Sequence, residues 1–242
     1  MKYSYGTDIG VVRQSNQDSV AVHIFSEDCG LFVVADGMGG HRGGKTASTI
    51  TVDTILKECV ENYTDELNED GVKKLLYDAV CLANTEVYNK SHENPDLEGM
   101  GTTVVAFIVK DKKLYTASVG DSRLYVCSGT RIFQITQDHS LVGDLLRKGV
   151  ITEEEARVHP QKNIITRAIG SECEVEVDIF DTVVESGNVV LSCTDGLHGL
   201  LTNEEIAGVV SVEIEDSAEK LISMANDKGG NDNITVAAVR IS

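Results

Sequence analysis

Residues 101–135 constrain the fold more than any other stretch, because four strand-like segments follow one another there with very short connections. Each segment is rich in alternating apolar residues, which is typical of β-strands that face a core on one side. Connections this short join antiparallel neighbours, since a parallel crossover needs about a dozen residues or more. The sequence therefore predicts an antiparallel β-meander over 103–109, 114–119, 123–127 and 131–135.

Helical patterns lie on both sides of this meander. Apolar residues recur at helical spacing over 47–60 and 71–90, and again over 203–210 and 217–227. Each helix pair follows an apolar strand and an Asp-Gly step, so the chain contains a weak internal repeat of these elements. We predict an α/β fold, a four-layer α-β-β-α sandwich with two mainly antiparallel sheets flanked by helix pairs. No proline-rich linker or low-complexity run divides the chain, which predicts a single domain over 1–242.

The composition limits the classes of molecule that the protein is expected to bind. The formal net charge of −18 opposes binding to nucleic acid or to an anionic membrane, because phosphate groups would be repelled across most of the surface. The same charge is compatible with bound cations. The six cysteines are scattered without zinc-like spacing, which predicts reduced, buried thiols. The sequence shows neither a secretory signal nor a run of about 20 apolar residues, so we expect a cytoplasmic protein.

The segment 31–46 carries the first candidate chemistry. Five apolar residues, Leu31 to Ala35, predict a buried strand, and Asp36-Gly37 follows it directly. A carboxylate in that place, with glycines that let the backbone approach a ligand, favours a metal site centred on Asp36 and Gly37. The residues from Gly39 to Thr46 also fit the phosphate-binding pattern G-x-x-x-x-G-K-[ST]. The antiparallel meander argues against this second interpretation, because that loop belongs to mostly parallel sheets.

Four aspartates occupy similar places at strand ends: Asp36, Asp121, Asp195 and Asp232. Taken singly, an Asp-Gly step is most often turn chemistry. Taken together, these residues would bring several carboxylates to neighbouring strand ends, where they would raise one another's pKa values. A hard divalent cation relieves that repulsion, and oxygen ligands without His or Cys spacing favour Mg²⁺ or Mn²⁺ over zinc.

Eight ordered motifs then carry a family resemblance over nearly the whole chain. Together they resemble the metal-dependent serine/threonine protein phosphatases of type 2C, and in particular the compact bacterial members. The motifs are Arg13…Asn16-Gln17-Asp18, Asp36 to His41, Gly99 to Thr103, Val119 to Arg123, Asp138 to Leu141, His159 to Asn163, Thr194 to Leu197 and Gly229 to Asn233.

The resemblance implies a role for individual residues. Asp36 would bridge two metal ions, with Asp195 and Asp232 completing the first and the carbonyl of Gly37 serving the second. Asp18 would hold the second ion through water, and Asp121 with Asp195 would bind the third ion seen in bacterial members. Arg13 would grip the substrate phosphate. Residues 138–170 would form the family's flap, which influences substrate choice.

The implied activity is hydrolysis of phosphoserine and phosphothreonine in proteins by a metal-bridging hydroxide, without a phosphoenzyme intermediate. Two cations about 3.5–4 Å apart can lower the pKa of a shared water and aim it in line at phosphorus. The forked guanidinium of Arg13 matches phosphate geometry. The implied partners are phosphorylated proteins, including a serine/threonine kinase and its substrates, by family analogy.

The sequence departs from the pattern of many relatives at the position of the general acid, the group that protonates the leaving alkoxide. Many eukaryotic relatives have His immediately after Asp-Gly, whereas Met38 stands there, as in bacterial members. His41, three residues on, is a candidate substitute that competes with a loop-packing or solvent-exposed role. The general acid therefore stays unassigned.

Two other functions are compatible with parts of the sequence. A nucleotide hydrolase would use residues 39–46, with Lys45 on the phosphates. An inactive relative would bind phosphoproteins or metal without turnover, although every candidate ligand position is intact.

Overall fold

The structure, a computed structural model, describes residues 1–242 apart from the side chain of His41. Two five-stranded antiparallel sheets form its centre. The first sheet has the spatial order β1 (Lys2–Asp8), β12 (Ile234–Arg240), β11 (Val189–Cys193), β8 (Arg123–Ser128) and β9 (Arg131–Gln134). The second has the order β10 (Asp178–Val183), β7 (Lys113–Val119), β6 (Val104–Lys110), β3 (Cys29–Ala35) and β2 (Ser19–Ser26). A short ribbon joins β4 (Gly37–Met38) to β5 (Gly101–Thr102).

Helices cover the outer faces of both sheets. The second sheet carries α1 (Gly40–Asn62) and α2 (Glu69–Glu93), and the first carries α6 (Asn203–Val212) and α7 (Ser217–Asp227). Buried apolar side chains fill the space between the sheets, where the rings of Phe32 and Phe107 stack with centroids 4.9 Å apart. This arrangement confirms the predicted four-layer sandwich. None of the helices over the described residues is both long and apolar enough to cross a bilayer.

The prediction of one continuous meander is wrong in its middle. β6 pairs with β7 and β8 pairs with β9, but β7 lies in the second sheet and β8 in the first. The connection Gly120-Asp121-Ser122 therefore carries the chain from one sheet to the other. Gly120 makes this corner with a φ of +103°, and a Cβ there would lie 2.6 Å from Cβ of Thr103. A short connection can thus leave a sheet when a glycine turns it sharply.

The first helix begins earlier than predicted. The pattern predicts a start at Ala47, whereas α1 begins at Gly40, after Gly39 in the left-handed region. The early turns contain glycines because the helix lies against other backbone: a Cβ on Gly44 would lie 2.7 Å from the Gly37 carbonyl oxygen. The phosphate-loop pattern is therefore helical here from Gly40 onward.

Two short helices, α3 (Leu141–Arg147) and α4 (Glu153–Val158), occupy the predicted flap. The capping box predicted for the second is present: the Thr152 hydroxyl accepts from the Glu155 amide, and the Glu155 carboxylate accepts from the Thr152 amide. No residue of α4 is buried. The flap is tied down at its ends, by a bridge between Ser140 and Ile165 and another between Thr102 and Ile169.

The expectation of buried thiols holds for most of the cysteines. Cys29, Cys59, Cys127 and Cys193 are buried, and Cys81 is half-buried. Cys173 is exposed, since it lies in an irregular segment after the flap.

Candidate metal centre

Two Asp-Gly steps leave buried strands at the same end of the sandwich. Asp36 follows β3 and Asp195 follows β11. In each case glycine is needed, because a Cβ on Gly37 would lie 2.1 Å from the Gly44 carbonyl oxygen and one on Gly196 would lie 2.0 Å from the Asn233 carbonyl oxygen. These close backbone approaches place Asp36 beside the start of α1, and Asp195 beside the loop that carries Asp232.

The Asn233 side chain holds that loop in place. Its Oδ1 accepts a hydrogen bond from the Gln17 amide at 2.8 Å, and its Nδ2 donates to the carbonyls of Ile9 at 2.9 Å and Ser15 at 3.1 Å. Asn233 thus fixes Asp232 relative to the N-terminal loop that carries Arg13 and Asp18.

Arg13 and Asp232 form an ion pair at the mouth of the site. The Arg13 Nη2 donates to Asp232 Oδ2 at 2.6 Å, with the two side chains 51% and 34% exposed. This hydrogen bond raises the pKa of Arg13 further, so the guanidinium is charged under all working conditions.

Asp18 lies buried behind this pair. Its Oδ2 accepts hydrogen bonds from the hydroxyls of Thr194 at 2.9 Å and Thr235 at 2.6 Å. Its Oδ1 is buried without a hydrogen-bond partner among the described residues. Burial raises the pKa of Asp18 to about 7, although the two hydroxyls oppose the rise.

The carboxylates also act on one another. The pKa of Asp36 is raised well above its usual range, first by burial and then by the charges of Asp18 and Asp195. Burial and the charge of Asp232 raise the pKa of Asp195. Burial and the charge of Asp195 raise the pKa of Asp121 to about 8. The five aspartates therefore share one electrostatic environment.

Asp121 reaches this environment from the corner between the two sheets. The Gly120 amide donates to His139 Nδ1 at 3.0 Å, and His198 Nε2 donates to the Asp121 carbonyl at 3.1 Å. Asp121 is buried, 7% exposed. Its position depends on the flap base through His139 and on α5 (Asp195–His198) through His198.

The chemistry of these donors fits hard divalent cations. Asp18 Oδ1 and Asp195 Oδ1 are buried without partners among the described residues, and mutual repulsion destabilises the charged forms of the cluster. Oxygen donors of this kind suit Mg²⁺ and Mn²⁺. Across the described residues, no three acidic, histidine or cysteine side chains already stand at metal-ligand separations. The residues therefore fit divalent cations in the type and charge of their donor atoms. The side chain of Asp232 is held by its hydrogen bond from Arg13, and that of Asp18 by its hydrogen bonds from Thr194 and Thr235.

Several residues that shape the site have no predicted role. Thr194 and Asn233 lie inside motifs that carry the resemblance, and Thr235 lies two residues beyond the last of them. In the sequence, only their closeness to Asp195 and Asp232 could have pointed to these three residues. Hydrogen bonds to Asp18 and to the N-terminal loop depend on contacts between residues far apart in the chain, which spacing does not reveal.

Lys45 does not behave as a phosphate-loop lysine. Its Nζ donates to the Asp18 carbonyl at 2.7 Å and to Ser19 Oγ at 3.1 Å. The ammonium thereby fixes the segment that carries Asp18. The His41 side chain, the other candidate in this segment, lies outside the described residues.

A family model described as protein phosphatase 2C matches residues 6–236 of this chain. This chain belongs to the protein phosphatase 2C family.

Curated relatives and solved structures agree with this membership. The chain is 37% identical over 244 residues to protein phosphatase PhpP of Streptococcus pneumoniae serotype 2, covering 100% of this chain and 98% of the relative. The crystal structure of serine/threonine phosphatase Stp1 from Staphylococcus aureus is similar with a TM-score of 0.92 and 35% identity, over 100% of this chain and 95% of that one. The catalytic domain of serine threonine protein phosphatase PstP, in complex with two manganese ions, is similar with a TM-score of 0.85 and 31% identity, over 100% of this chain and 98% of that one.

Proposed function

We propose that this phosphatase hydrolyses phosphoserine and phosphothreonine in proteins with the help of divalent cations, and that residues 1–242 form its single catalytic domain. The observation that carries the proposal is the convergence of Asp18, Asp36, Asp121, Asp195 and Asp232, where burial and the charges of neighbouring aspartates raise the pKa values of Asp36, Asp121 and Asp195. A structural turn role for each aspartate would not require this convergence.

Two core cations would be held by Asp36, Asp195, Asp232 and the Gly37 carbonyl, with Asp18 behind them. Asp121 and Asp195 would hold a third. Mn²⁺ and Mg²⁺ are the ions proposed, and the PstP relative contains two manganese ions. When bound, the cations would activate a water molecule for direct attack on phosphorus and neutralise charge on the phosphoryl oxygens.

Arg13 would orient the phosphate. Its guanidinium presents five donors, and the contact with Asp232 uses only one of its two terminal nitrogens. The half-exposed side chain therefore keeps donors for two phosphate oxygens. Charge-assisted pairs of this kind fix the orientation of the phosphoryl group as well as binding it.

The chain offers no buried thiol as a nucleophile. Burial raises the pKa of Cys59 and of Cys127 to about 12 and the pKa of Cys193 further, which keeps these thiols protonated. This supports direct hydrolysis without a phosphoenzyme intermediate. Met38 cannot donate a proton, so protonation of the leaving group is assigned to no side chain.

We further propose that the phosphatase opposes a serine/threonine kinase in the cytoplasm. The six cysteines, none of them in a disulfide among the described residues, suit a reducing compartment. The net charge of −18 supports protein partners over nucleic acid or an anionic membrane.

The test is metal-titrated hydrolysis of a phosphothreonine peptide. We expect no turnover in EDTA, recovery with millimolar Mn²⁺, and a loss of about 1,000-fold or more in Asp36→Asn, because a missing ligand removes the charge that holds the ions. Asp53→Asn, which changes an exposed aspartate of α1, is the matched control and should keep wild-type activity. Circular dichroism checks that both variants are folded.

Two outcomes would reject the proposal. Turnover that persists in EDTA would exclude a metal centre. A folded wild-type protein that binds Mn²⁺ but hydrolyses no phosphoester would be an inactive phosphoprotein-binding relative. The nucleotide-hydrolase alternative finds no support in the contacts of Lys45.

A further inference from the structure

A cleft of about 330 Å³ is shared by the metal centre and the flap. The metal centre contributes Arg13, Asp121, Asp195 and Asp232 to its lining. The flap contributes another part of the lining, which includes Val142, Leu146, Ala156, Arg157 and Lys162. A phosphorylated residue held at the aspartates would therefore have its flanking residues beside the flap.

Arg157 and Lys162 differ from the paired cations of the flap. Neither side chain donates a hydrogen bond or forms an ion pair within 4.0 Å with any described residue. By contrast, Arg147 pairs with Asp144 and Arg167 pairs with Asp178 at 2.8 Å. Both cations line the same cleft as Asp195 and Asp232. Two exposed cations that face a cleft without partners keep their donors for an incoming group.

The flap also contributes carboxylates to the lining. Asp138 is paired with Arg123, whereas Glu153 lies one turn before Arg157 on α4 and forms no ion pair with it within 4.0 Å. The unpaired charges that the flap contributes to the lining are therefore two cations and one anion. The overall negative charge of the protein has little reach into this contact, because exposed charges are screened beyond about 8 Å at physiological ionic strength.

We propose that Arg157 and Lys162, here called the basic wall, bind an anionic side chain next to the phosphorylated residue of the substrate. Resting on the proposed function, this inference makes the phosphatase selective for phosphoserine or phosphothreonine flanked by acidic residues or by a second phosphate. Carboxylate and phosphate share the chemistry that the two cations recognise, and apolar side chains of the same lining, such as Val142 and Leu146, can contact the carbon stem of the flanking residue.

The experiment compares kcat/KM for three phosphothreonine peptides of equal length, with neutral flanks, with glutamates on both sides, or with a second phosphothreonine. We expect wild type to prefer each anionic peptide over the neutral one by about tenfold, because exposed ion pairs each contribute about threefold to fivefold. The preference should fall to about onefold to twofold in R157Q/K162Q, and it should weaken as salt is raised.

Lys148→Gln is the matched control. Lys148 is an exposed cation of the same flap that does not line the cleft, so this substitution removes a charge without touching the basic wall. K148Q should keep the wild-type ratio between anionic and neutral peptides. Preference for the doubly phosphorylated peptide alone would support the inference and restrict it to phosphate.

Other outcomes overturn it. Equal kcat/KM for all three peptides in wild type, a preference for the neutral peptide, or an unchanged ratio in R157Q/K162Q would each reject the basic wall. Hydrolysis of nitrophenyl phosphate in the same assays separates the two proposals: if wild type hydrolyses it and ignores the flanks, only the inference fails. If Mn²⁺-loaded wild type hydrolyses neither this ester nor any peptide, the proposed function fails and the basic wall fails with it.

Discussion

The metal centre and the flap are built in opposite ways. Four aspartates of the metal centre, here called the carboxylate floor (Asp18, Asp36, Asp195 and Asp232), lie next to strands and beside glycines that touch other backbone. The basic wall stands on the flap, and α4 has no buried residue. In the proposed function, this difference would divide two tasks. Groups that would hold metal ions at fixed distances depend on packing, whereas groups that would meet varied peptides lie on an element with little packing to hold it still.

The largest effect is expected from a substitution that disturbs the backbone beneath the carboxylate floor, and it tests whether close packing holds the floor in place. Gly37→Ala places a methyl group 2.1 Å from the Gly44 carbonyl oxygen. We expect a loss of about 3 kcal/mol in the free energy of unfolding, because neither backbone segment can move without shifting β3 or α1. Denaturant unfolding monitored by circular dichroism measures the change.

Gly208→Ala is the control for that substitution. Gly208 is exposed on α6, and a Cβ there would meet nothing within 4 Å. Alanine should stabilise the protein by about 0.5–1 kcal/mol, since it lowers the entropy cost of forming the helix. Equal effects of both substitutions would show that the floor is not held by close backbone contact.

A second prediction concerns the charge of the floor. Burial raises the pKa of Asp18 from its ordinary value of 3.8 to about 7 in the folded protein. A carboxyl group whose pKa rises on folding binds its proton more tightly in the folded state, so it costs stability as the pH rises between these two values. In EDTA, the stability of Asp18→Asn relative to wild type should therefore increase by on the order of 1–3 kcal/mol between about pH 5 and about pH 7.

Thermal unfolding of both proteins across this pH range measures the difference. Asp53→Asn, on the exposed face of α1, provides the reference and should show no such trend. A difference that stays constant with pH would mean that Asp18 is not destabilised by its surroundings, which would remove one argument for a cation at the floor.

The smallest expected effect comes from substituting two equivalent helix N-cap residues, one in the flap and one in the core. Thr152 caps α4 in the flap and Thr202 caps α6, each with a complete capping box. Alanine at either position removes about 1 kcal/mol of helix stability. In Thr202→Ala the loss should appear in global unfolding, because Ile206 and Val210 of α6 are buried in the core. In Thr152→Ala it should instead raise hydrogen exchange in α4 about fivefold and leave global unfolding unchanged.

Hydrogen exchange measured by mass spectrometry separates the two results. A global loss in Thr152→Ala equal to that in Thr202→Ala would show that the flap folds with the core. The contrast between floor and basic wall would then need another physical basis.

Much of the fold follows from local patterns. Apolar alternation predicts the strands around Val105 and Val190, and helical spacing predicts the helices that carry Val80 and Leu221, because burial on one face is encoded residue by residue. The positions of Asp36 and Asp195 after apolar runs are equally local. The predicted meander failed at Gly120, where a short connection leaves one sheet for the other.

The sequence by itself determined the strand-end aspartates, the Asp-Gly steps and the motif order that indicates the family, because each is a property of neighbouring residues. Only the tertiary structure decided that Thr194 and Thr235 donate to Asp18, that Arg13 pairs with Asp232, and that Arg157 and Lys162 face the same cleft as the aspartates. These contacts join segments far apart in the chain, and the packing of two sheets, rather than any local preference, brings them together.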